Sequence, residues 1–233
     1  MYTVDYHSNR IAPVKIKTFS ELGFTERKHL QEWLAHEPSA LGEELLIVQK
    51  EFDGFDDTKE RLDLLALDKD GNLVIIENKL DDSGRDVVWQ ALKYASYCAS
   101  LTKLQIVEAF QAYLNRFEKG LVDQEGKPVD ASSQICEFLD VPEMDEVKLN
   151  LGNSQRIMMV AANFRKEVTS TALWLLGQGI NVQCFKVTPY AHGDQLLINI
   201  DQIIPAPEAK ELMIGINAKE AEEKNTDIVL KTR

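Results

Sequence analysis

Short apolar runs bounded by polar turns fill the first third of the chain and predict three neighbouring β-strands. Residues 44–52 (ELLIVQKEF), 61–68 (RLDLLALD) and 72–79 (NLVIIENK) are each rich in Leu, Ile and Val. The last two runs are joined by DKDGN, in which the Asp70-Gly71 pair is a strong hairpin-turn signal. The second and third strands are therefore expected to lie side by side and antiparallel.

Helical spacing predicts helices on both sides of this strand unit. A first helix starts near Thr25, which is placed to be its N-cap, and Leu30, Trp33 and Leu34 share its apolar face. Three further helices follow the same spacing, over 86–100, 103–117 and 132–139.

A second series of elements follows in the order strand, helix, strand, strand. The segments are SQRIMMVAAN, RKEVTSTALWLLGQG, INVQCFKVTPY and DQLLINIDQII. The whole pattern predicts an α/β protein with a mixed central sheet flanked by helices and a C-terminal β-α-β-β extension. The expected divisions are a hairpin or arm, a core, an α/β unit that either stands alone or continues the core domain, and a charged tail or linker: 1–20, 21–140, 141–204 and 205–233.

Charged residues end the third strand and lie close to an aspartate in the second. Side chains alternate between the two faces of a strand, so Glu77 and Lys79 project from one face, about 7 Å apart. Asp63 lies between Leu62 and Leu64 in the preceding strand, and the hairpin can bring it beside Glu77. Two carboxylates and an ammonium group are thus expected together on strands otherwise built of aliphatic residues.

The acid-x-lysine triplet alone is not specific, because it occurs seven times in this chain. Only the copy at Glu77 ends an apolar run and has an aspartate in the partner strand. The alternative interpretation of Glu77 and Lys79 is a plain surface ion pair, which would contribute ~0–1 kcal/mol to stability.

The helix after the third strand adds two polar residues near the same strand ends. Gln90 and Tyr94 lie one turn apart, at positions i and i+4 of one helical face. The helix begins only a few residues after Lys79, so its first turns are expected near the carboxylate-bearing strands.

In order along the chain, Asp63, Glu77-Asn78-Lys79, Gln90 and Tyr94 resemble the PD-(D/E)XK nuclease superfamily. The resemblance is closest to members with a Gln-x-x-x-Tyr helix, such as RecB-type nucleases and the nuclease domain of NucS. It covers about 25–101 and implies a restriction-endonuclease-like core. The later segments also resemble an uncharacterised bacterial family built on that core. One departure is Leu62, which stands where the motif that names the superfamily has proline.

The resemblance implies a metal-dependent nuclease. Asp63 and Glu77 would bind Mg²⁺ or Mn²⁺, with the backbone carbonyl of Asn78 as a further ligand. Carboxylate and carbonyl oxygens are the ligands that these hard cations prefer. Hydrolysis of a phosphodiester requires an activated water and neutralisation of phosphate charge, which such a site provides.

The same resemblance assigns roles to the neighbouring polar residues. Lys79 would hold or help to deprotonate the attacking water, and Gln90 would orient the water, Lys79 or the phosphate. Tyr94 would contact the backbone of the nucleic acid. Superfamily members often add a glutamate from the first helix, and of Glu26 and Glu32 the expected one is Glu32.

The negative net charge of the chain does not favour binding of nucleic acid, which is itself negatively charged. The 233 residues carry a formal net charge of −12, whereas proteins that bind nucleic acid through their overall field are usually basic. Substrate contact would then depend on bound cations and on local bases: Arg61, Arg85, Lys93, Arg156, Arg165 and Lys186. The three tryptophans lie within apolar helical patterns and are interpreted as core residues before stacking platforms: Trp33, Trp89 and Trp174.

Other features favour a cytoplasmic protein with no membrane association. No apolar run approaches the ~20 residues that cross a bilayer, and the first ten residues lack the pattern of a secretory signal. The three cysteines are widely spaced and odd in number, which favours reduced, mostly buried thiols.

Three functions stay open from the sequence. The first is a Mg²⁺-dependent endo- or exodeoxyribonuclease acting in repair or in defence against foreign DNA, either as a monomer or as a homodimer. The second is a module on a nuclease fold that binds nucleic acid or a partner protein without cutting. The third is a domain in which the charged cluster is purely structural.

Overall fold

A mixed β-sheet flanked by helices forms the centre of the computed structural model, which describes residues 1–53, 61–117, 126 and 129–206. The strands are β1 (Tyr2–Asp5), β2 (Arg10–Pro13), β3 (Lys15–Ile16), β4 (Leu46–Phe52), β5 (Leu62–Leu67), β6 (Leu73–Asp82), β7 (Arg156–Asn163), β8 (Val182–His192) and β9 (Gln195–Ile204). The α-helices are α1 (Gln31–His36), α2 (Val87–Cys98), α3 (Lys103–Phe117), α4 (Ala131–Leu139) and α5 (Lys166–Gly177).

The strand order across the main sheet is β4-β5-β6-β7-β8-β9, and the short β3 also pairs with β8. β4, β5 and β6 are mutually antiparallel, β6, β7 and β8 are parallel, and β9 returns antiparallel to β8. The later β-α-β-β unit therefore continues the sheet that the first three strands begin. This mixed sheet with flanking helices confirms the predicted fold class.

Apolar side chains cover the sheet in two clusters. The larger surrounds β4, β5 and β6 and includes residues of α1, α3 and α4. The smaller lies where α2 and α5 pack on β7 and β8, and it includes Ala91, Met159 and Ala172. Burial of these side chains is the main force that holds α2 beside the end of β6.

The first helix differs from its prediction at its start. A π-helical turn, Glu26–Leu30, precedes α1, and a 3₁₀ turn begins directly after it at Pro38. The side chain of Thr25 makes no capping hydrogen bond; instead its backbone N–H donates to Nδ1 of His29 at 2.9 Å. Glu26, the first residue of this turn, contacts Lys79 at the end of β6.

The prediction that the tryptophans are core residues is wrong for two of them. Trp33 packs edge-on against Phe24, with ring centroids 5.1 Å apart. Trp89 and Trp174 are instead 67% and 62% exposed. Trp89 lies on the side of α2 opposite its buried face. That face is formed by Val87, Val88, Ala91, Tyr94 and Cys98.

Some predictions lie partly or wholly outside the described residues. They concern the polar connection before β5, most of the loop between α3 and α4, and the charged segment from residue 207 on. Cys98 and Cys184 are buried and Cys136 is partly buried, and all three thiols are free. In the described part of the chain, no helix has both the length and the apolar character to cross a membrane.

The hairpin between β5 and β6 turns at Gly71, as the Asp70-Gly71 signal predicts. Asp68 organises this turn, because its Oδ1 accepts hydrogen bonds from the N–H groups of Asp70 and Asn72. Gly71 has φ +78°, and an added Cβ would lie 2.2 Å from the backbone oxygen of Lys148. The turn therefore needs glycine both for its left-handed conformation and for close packing.

Gly71→Ala is expected to destabilise the protein more than Gly193→Ala. Both glycines have positive φ, +78° and +58°, so both alanines carry the ~1–2 kcal/mol cost of a left-handed conformation. Only Gly71 faces backbone atoms, whereas a Cβ on Gly193 would have no atom within 4 Å. The clash adds about 1–3 kcal/mol. Urea denaturation of the two variants measures the difference, and equal midpoints would contradict this account of the turn.

Candidate active site

Asp63 and Glu77 face each other across adjacent strands. Leu64 pairs with Ile76 in the antiparallel register of β5 and β6, so the next pair outward is Asp63 with Glu77. Directly opposed residues project from the same face of a sheet. The N–H of Asn78 also donates to Oδ2 of Asp63 at 2.8 Å, which fixes this carboxylate against β6.

Both carboxyl groups are buried, which makes their ionisation unfavourable. Asp63 is 7% exposed and Glu77 is 2% exposed. Burial is the largest cause that raises the pKa of Asp63 to about 6, against the lowering effects of the Asn78 N–H and Lys79. Burial, together with the charge of Asp63, raises the pKa of Glu77 to about 8. Two negative charges in this space therefore require a proton or a cation nearby.

Lys79 borders the carboxylate pair and connects it to Glu26. Its Nζ lies 3.8 Å from Oε2 of Glu77 and 3.5 Å from Oε1 of Glu26. The other oxygen of Glu26 accepts a hydrogen bond from the N–H of Leu80 at 3.3 Å. The lysine side chain keeps 26% of its surface exposed, so its ammonium group lies between the buried acids and the solvent.

Glu32 is placed differently from its predicted role. Its carboxylate pairs with Lys50, whose Nζ lies 2.8 Å from Oε2. The acid from the first helical segment that meets Lys79 is Glu26, in the π-helical turn. The contact between Glu26 and Lys79 was not indicated by the sequence.

The two polar residues of α2 occupy different environments. Tyr94 is 4% exposed, and its hydroxyl donates to the backbone oxygen of Arg61 at 3.1 Å. This geometry suits a group that positions β5. The sequence analysis had predicted a different role for Tyr94, contact with the nucleic-acid backbone. Gln90 lies one turn earlier and is half-buried, at the border between the inner and outer faces of α2.

Two further residues near Asp63 were missed by sequence reasoning. Gln31 is 2% exposed, and its Nε2 donates to the backbone oxygen of Asp63 at 3.2 Å. Glu51 lies between two β4 residues that pair with Leu64 and Leu62, which places it opposite Asp63, and its charge raises the pKa of Asp63. The signal for Glu51 was available in the alternation of IVQKEF, whereas no sequence pattern marks Gln31.

The donor set fits a hard divalent cation with few protein ligands. Glu77 Oε1 is buried and has no hydrogen-bond partner among the described residues, so it is a free acceptor inside the site. Within the same residues, no group of three or more His, Cys, Asp and Glu side chains is arranged to hold a metal ion. Mg²⁺ needs only one or two carboxylates, since it retains several waters. Asp63 and Glu77 are the two carboxylates that could hold such an ion.

Arg156 and Arg165, two of the six bases considered for substrate contact, are paired with acids. Arg156 lies in a buried cluster with Glu43 and Asp68, with its guanidinium nitrogens 2.6 and 2.9 Å from their carboxylates, and its side chain is 11% exposed. These two acids hold the guanidinium of Arg156 within the fold. Arg165 pairs with Asp82 at 2.7 Å.

Without metal, stability is expected to fall as pH rises toward 8. Between the ordinary pKa of Glu77, 4.5, and its folded value of about 8, the folded state keeps a proton that the unfolded chain has lost. Folding is then opposed increasingly by deprotonation. Glu77→Gln removes this penalty, so the variant should melt above wild type at pH 8 by about 2–4 °C, the shift that ~1 kcal/mol gives in a domain of this size.

Thermal melts in EDTA at pH 5 and pH 8 measure this effect. Glu146→Gln, at an exposed position, serves as the matched control and should show no such pH-dependent difference. A wild-type protein that becomes more stable up to pH 8, or a Glu77→Gln variant that melts below it there, would contradict the burial of an ionisable pair.

Comparison with known proteins gives a partial structural likeness. No family model matches the sequence, and no curated protein matches it significantly. A solved EndoMS–dsDNA2 complex is 15% identical over 79% of this chain and 49% of its own, with a TM-score of 0.36. A repair endonuclease from Pyrococcus abyssi is 13% identical over 75% of this chain and 50% of its own, with a TM-score of 0.34. The chain spans about half the length of either protein, and similarity at this level does not identify its activity.

Proposed function

We propose that this protein is a metal-dependent nuclease that hydrolyses phosphodiester bonds of DNA, in repair or in defence against foreign DNA. The observation that carries the proposal is the opposed, buried pair of Asp63 and Glu77 with Lys79 at its border. A purely structural ion pair would not need two carboxylates whose pKa values are both raised by burial. A cytoplasmic location and a homodimeric state remain predictions.

The carboxylates would hold the ion. Asp63 and Glu77 present oxygens to one space, and the carbonyl of Asn78 is proposed as a further ligand. The chemistry that Mg²⁺ or Mn²⁺ supplies when bound is neutralisation of phosphate charge and a lower pKa for a water molecule. Asp63 is held in place from both sides, because the Asn78 N–H binds its carboxylate and Gln31 binds its backbone oxygen.

The remaining residues would act on the water and the phosphate. The ammonium group of Lys79 would donate hydrogen bonds to the attacking water and stabilise the charge that develops on the phosphate. Glu26 accepts from this ammonium group and would fix its direction. Gln90 would orient the water or the phosphate from the border of α2. Tyr94 would act as a positioning residue, since its hydroxyl holds the backbone just before Asp63.

The activity test is incubation with single-stranded, branched and duplex DNA, and with RNA, in Mg²⁺, Mn²⁺ or EDTA. Wild type should cut at least one DNA substrate only with metal. Lys79→Ala and Asp63→Asn should each lower the cleavage rate by about 10²–10³-fold, the loss typical for removal of one transition-state-stabilising group. Lys148→Ala is the matched control, since Lys148 ends another acid-x-lysine triplet and is exposed, and it should cut like wild type.

Identical products and rates from wild type and Lys79→Ala would end the nuclease proposal. Binding of DNA without cleavage in any metal would instead support a non-catalytic module. A separate readout is thermal stabilisation by Mg²⁺ or Mn²⁺, which should disappear in Asp63→Ala because a ligand that binds the folded state alone raises its stability.

The two acids of the first helical segment give a further test. Glu26→Gln should lower the cleavage rate about tenfold, the effect of weakening the alignment of a charged group by ~1.4 kcal/mol. Glu32→Gln should leave the rate unchanged, because Glu32 pairs with Lys50 and not with Lys79. The reverse order of effects in metal-dependent cleavage assays would show that the Glu26–Lys79 contact has no role in catalysis.

A further inference from the structure

An aromatic and basic stripe begins just before α2 and continues along its outer side, where Lys93 is half-buried with its Nζ 5.2 Å from the centre of the Tyr94 ring. Arg85, Trp89, Lys93 and Tyr97 recur every four residues, and we call them the α2 stripe. Trp89 is 67% exposed and Tyr97 is 39% exposed. At 1.5 Å per residue the helical part of the stripe, from Trp89 to Tyr97, is about 12 Å long. An exposed tryptophan leaves a large apolar surface in water, so its occurrence at the centre of such a stripe indicates a binding surface.

Charge distinguishes α2 from the other described α-helices, each of which contains a glutamate. The chain has 38 acidic and 26 basic residues, yet the sole charged residue of α2 itself is Lys93. Arg85 and Asp86 lie immediately before the helix and are exposed. The outer face of α2 thus has two bases beside its aromatic rings and one acid at its start. A polyanion can approach this face with less repulsion than most of a protein of net charge −12 would present.

Helical geometry places the stripe next to the candidate active site. Successive residues turn by about 100°, which puts Lys93 about 60° and Trp89 about 100° around the helix from Gln90. Tyr94 lies on the other side of Gln90 and reaches the backbone of Arg61, close to Asp63. The same helix therefore carries Tyr94, which positions the site, the half-buried Gln90 beside it, and the α2 stripe.

We propose that the α2 stripe binds an unpaired strand of nucleic acid, with a base stacked on Trp89 and phosphates contacted by Arg85 and Lys93. Aromatic rings that alternate with bases are suited to single strands, because every base has a face for stacking while a duplex hides its bases. The inference deepens the proposed nuclease function and rests on it, since the stripe would deliver unpaired nucleotides to the adjoining site. A partner protein or a second copy of this chain would use the rings as hydrophobic anchors instead.

The test is binding of a fluorescently labelled oligothymidylate of about 15 nucleotides in EDTA, where no cleavage occurs. Trp89→Ala should weaken binding about tenfold, as expected for the loss of one base–aromatic stack. Trp89→Phe should restore most of the affinity. Trp174→Ala is the matched control, because Trp174 is 62% exposed on α5 but has no base one turn before or after it, and it should bind like wild type.

Salt dependence tests the phosphate contacts. Arg85→Gln and Lys93→Gln should each reduce the slope of log K against log salt by about 0.7, the value for one phosphate contact to a single strand. Binding of a fully paired duplex should change less than about twofold in Trp89→Ala. Circular dichroism confirms that each variant keeps the helical content of wild type.

Equal affinities of wild type and Trp89→Ala, or an equal loss in Trp174→Ala, would overturn the inference. So would absence of oligothymidylate binding, which would leave the rings as a protein-docking surface. Because binding is measured without metal, the outcome is separable from the nuclease proposal. Trp89-dependent binding with no cleavage in any metal would refute the activity alone, whereas cleavage with Trp89-independent binding would refute the stripe alone.

Discussion

Two carboxyl groups, Asp63 and Glu77, are buried on the same face of an apolar sheet, and their burial determines the electrostatics of the candidate site. Burial raises both pKa values, and each negative charge makes the other less favourable. An arrangement of this kind costs stability unless nearby groups compensate it. Lys79 and the N–H of Asn78 are the compensating groups, and a divalent ion would complete the compensation. The electrostatic cost of this buried pair and the cation binding that we propose for it have the same physical origin.

The surrounding elements hold the backbone of this pair in place. Gln31 donates to the backbone oxygen of Asp63, and Tyr94 donates to the backbone oxygen of Arg61 two residues earlier. The start of β5 is thus fixed by side chains from α1 and α2, two helices far apart in sequence. The carboxylate of Asp63 can be held in one position only if this segment of backbone does not move.

The sequence predicted the centre of the site because strand alternation and hairpin register are local rules. The Asp70-Gly71 turn aligns β5 with β6, and Asp63 then meets Glu77 without knowledge of any other element. Glu32 was preferred to Glu26 because it lies beside Trp33 in the body of the helix, whereas the acid that contacts Lys79 is Glu26 in the preceding turn. Gln31 could not be predicted, since its role depends on how α1 packs against the sheet.

The sequence pattern also failed to predict which residues lie on the exposed side of α2. Hydrophobic periodicity assigned Trp89 to the core, but the inner face of this helix is already complete with smaller side chains and Tyr94. A pattern that contains more apolar residues than one face can hold does not indicate which of them remains outside. Tertiary packing decides this, and here it leaves a tryptophan outside, one residue from Gln90. Trp89, the apolar residue that the inner face of α2 does not hold, is therefore a better guide to a binding surface than the net charge of the chain. A nucleic-acid strand is recognised by the groups that it contacts, and the net charge does not describe these groups.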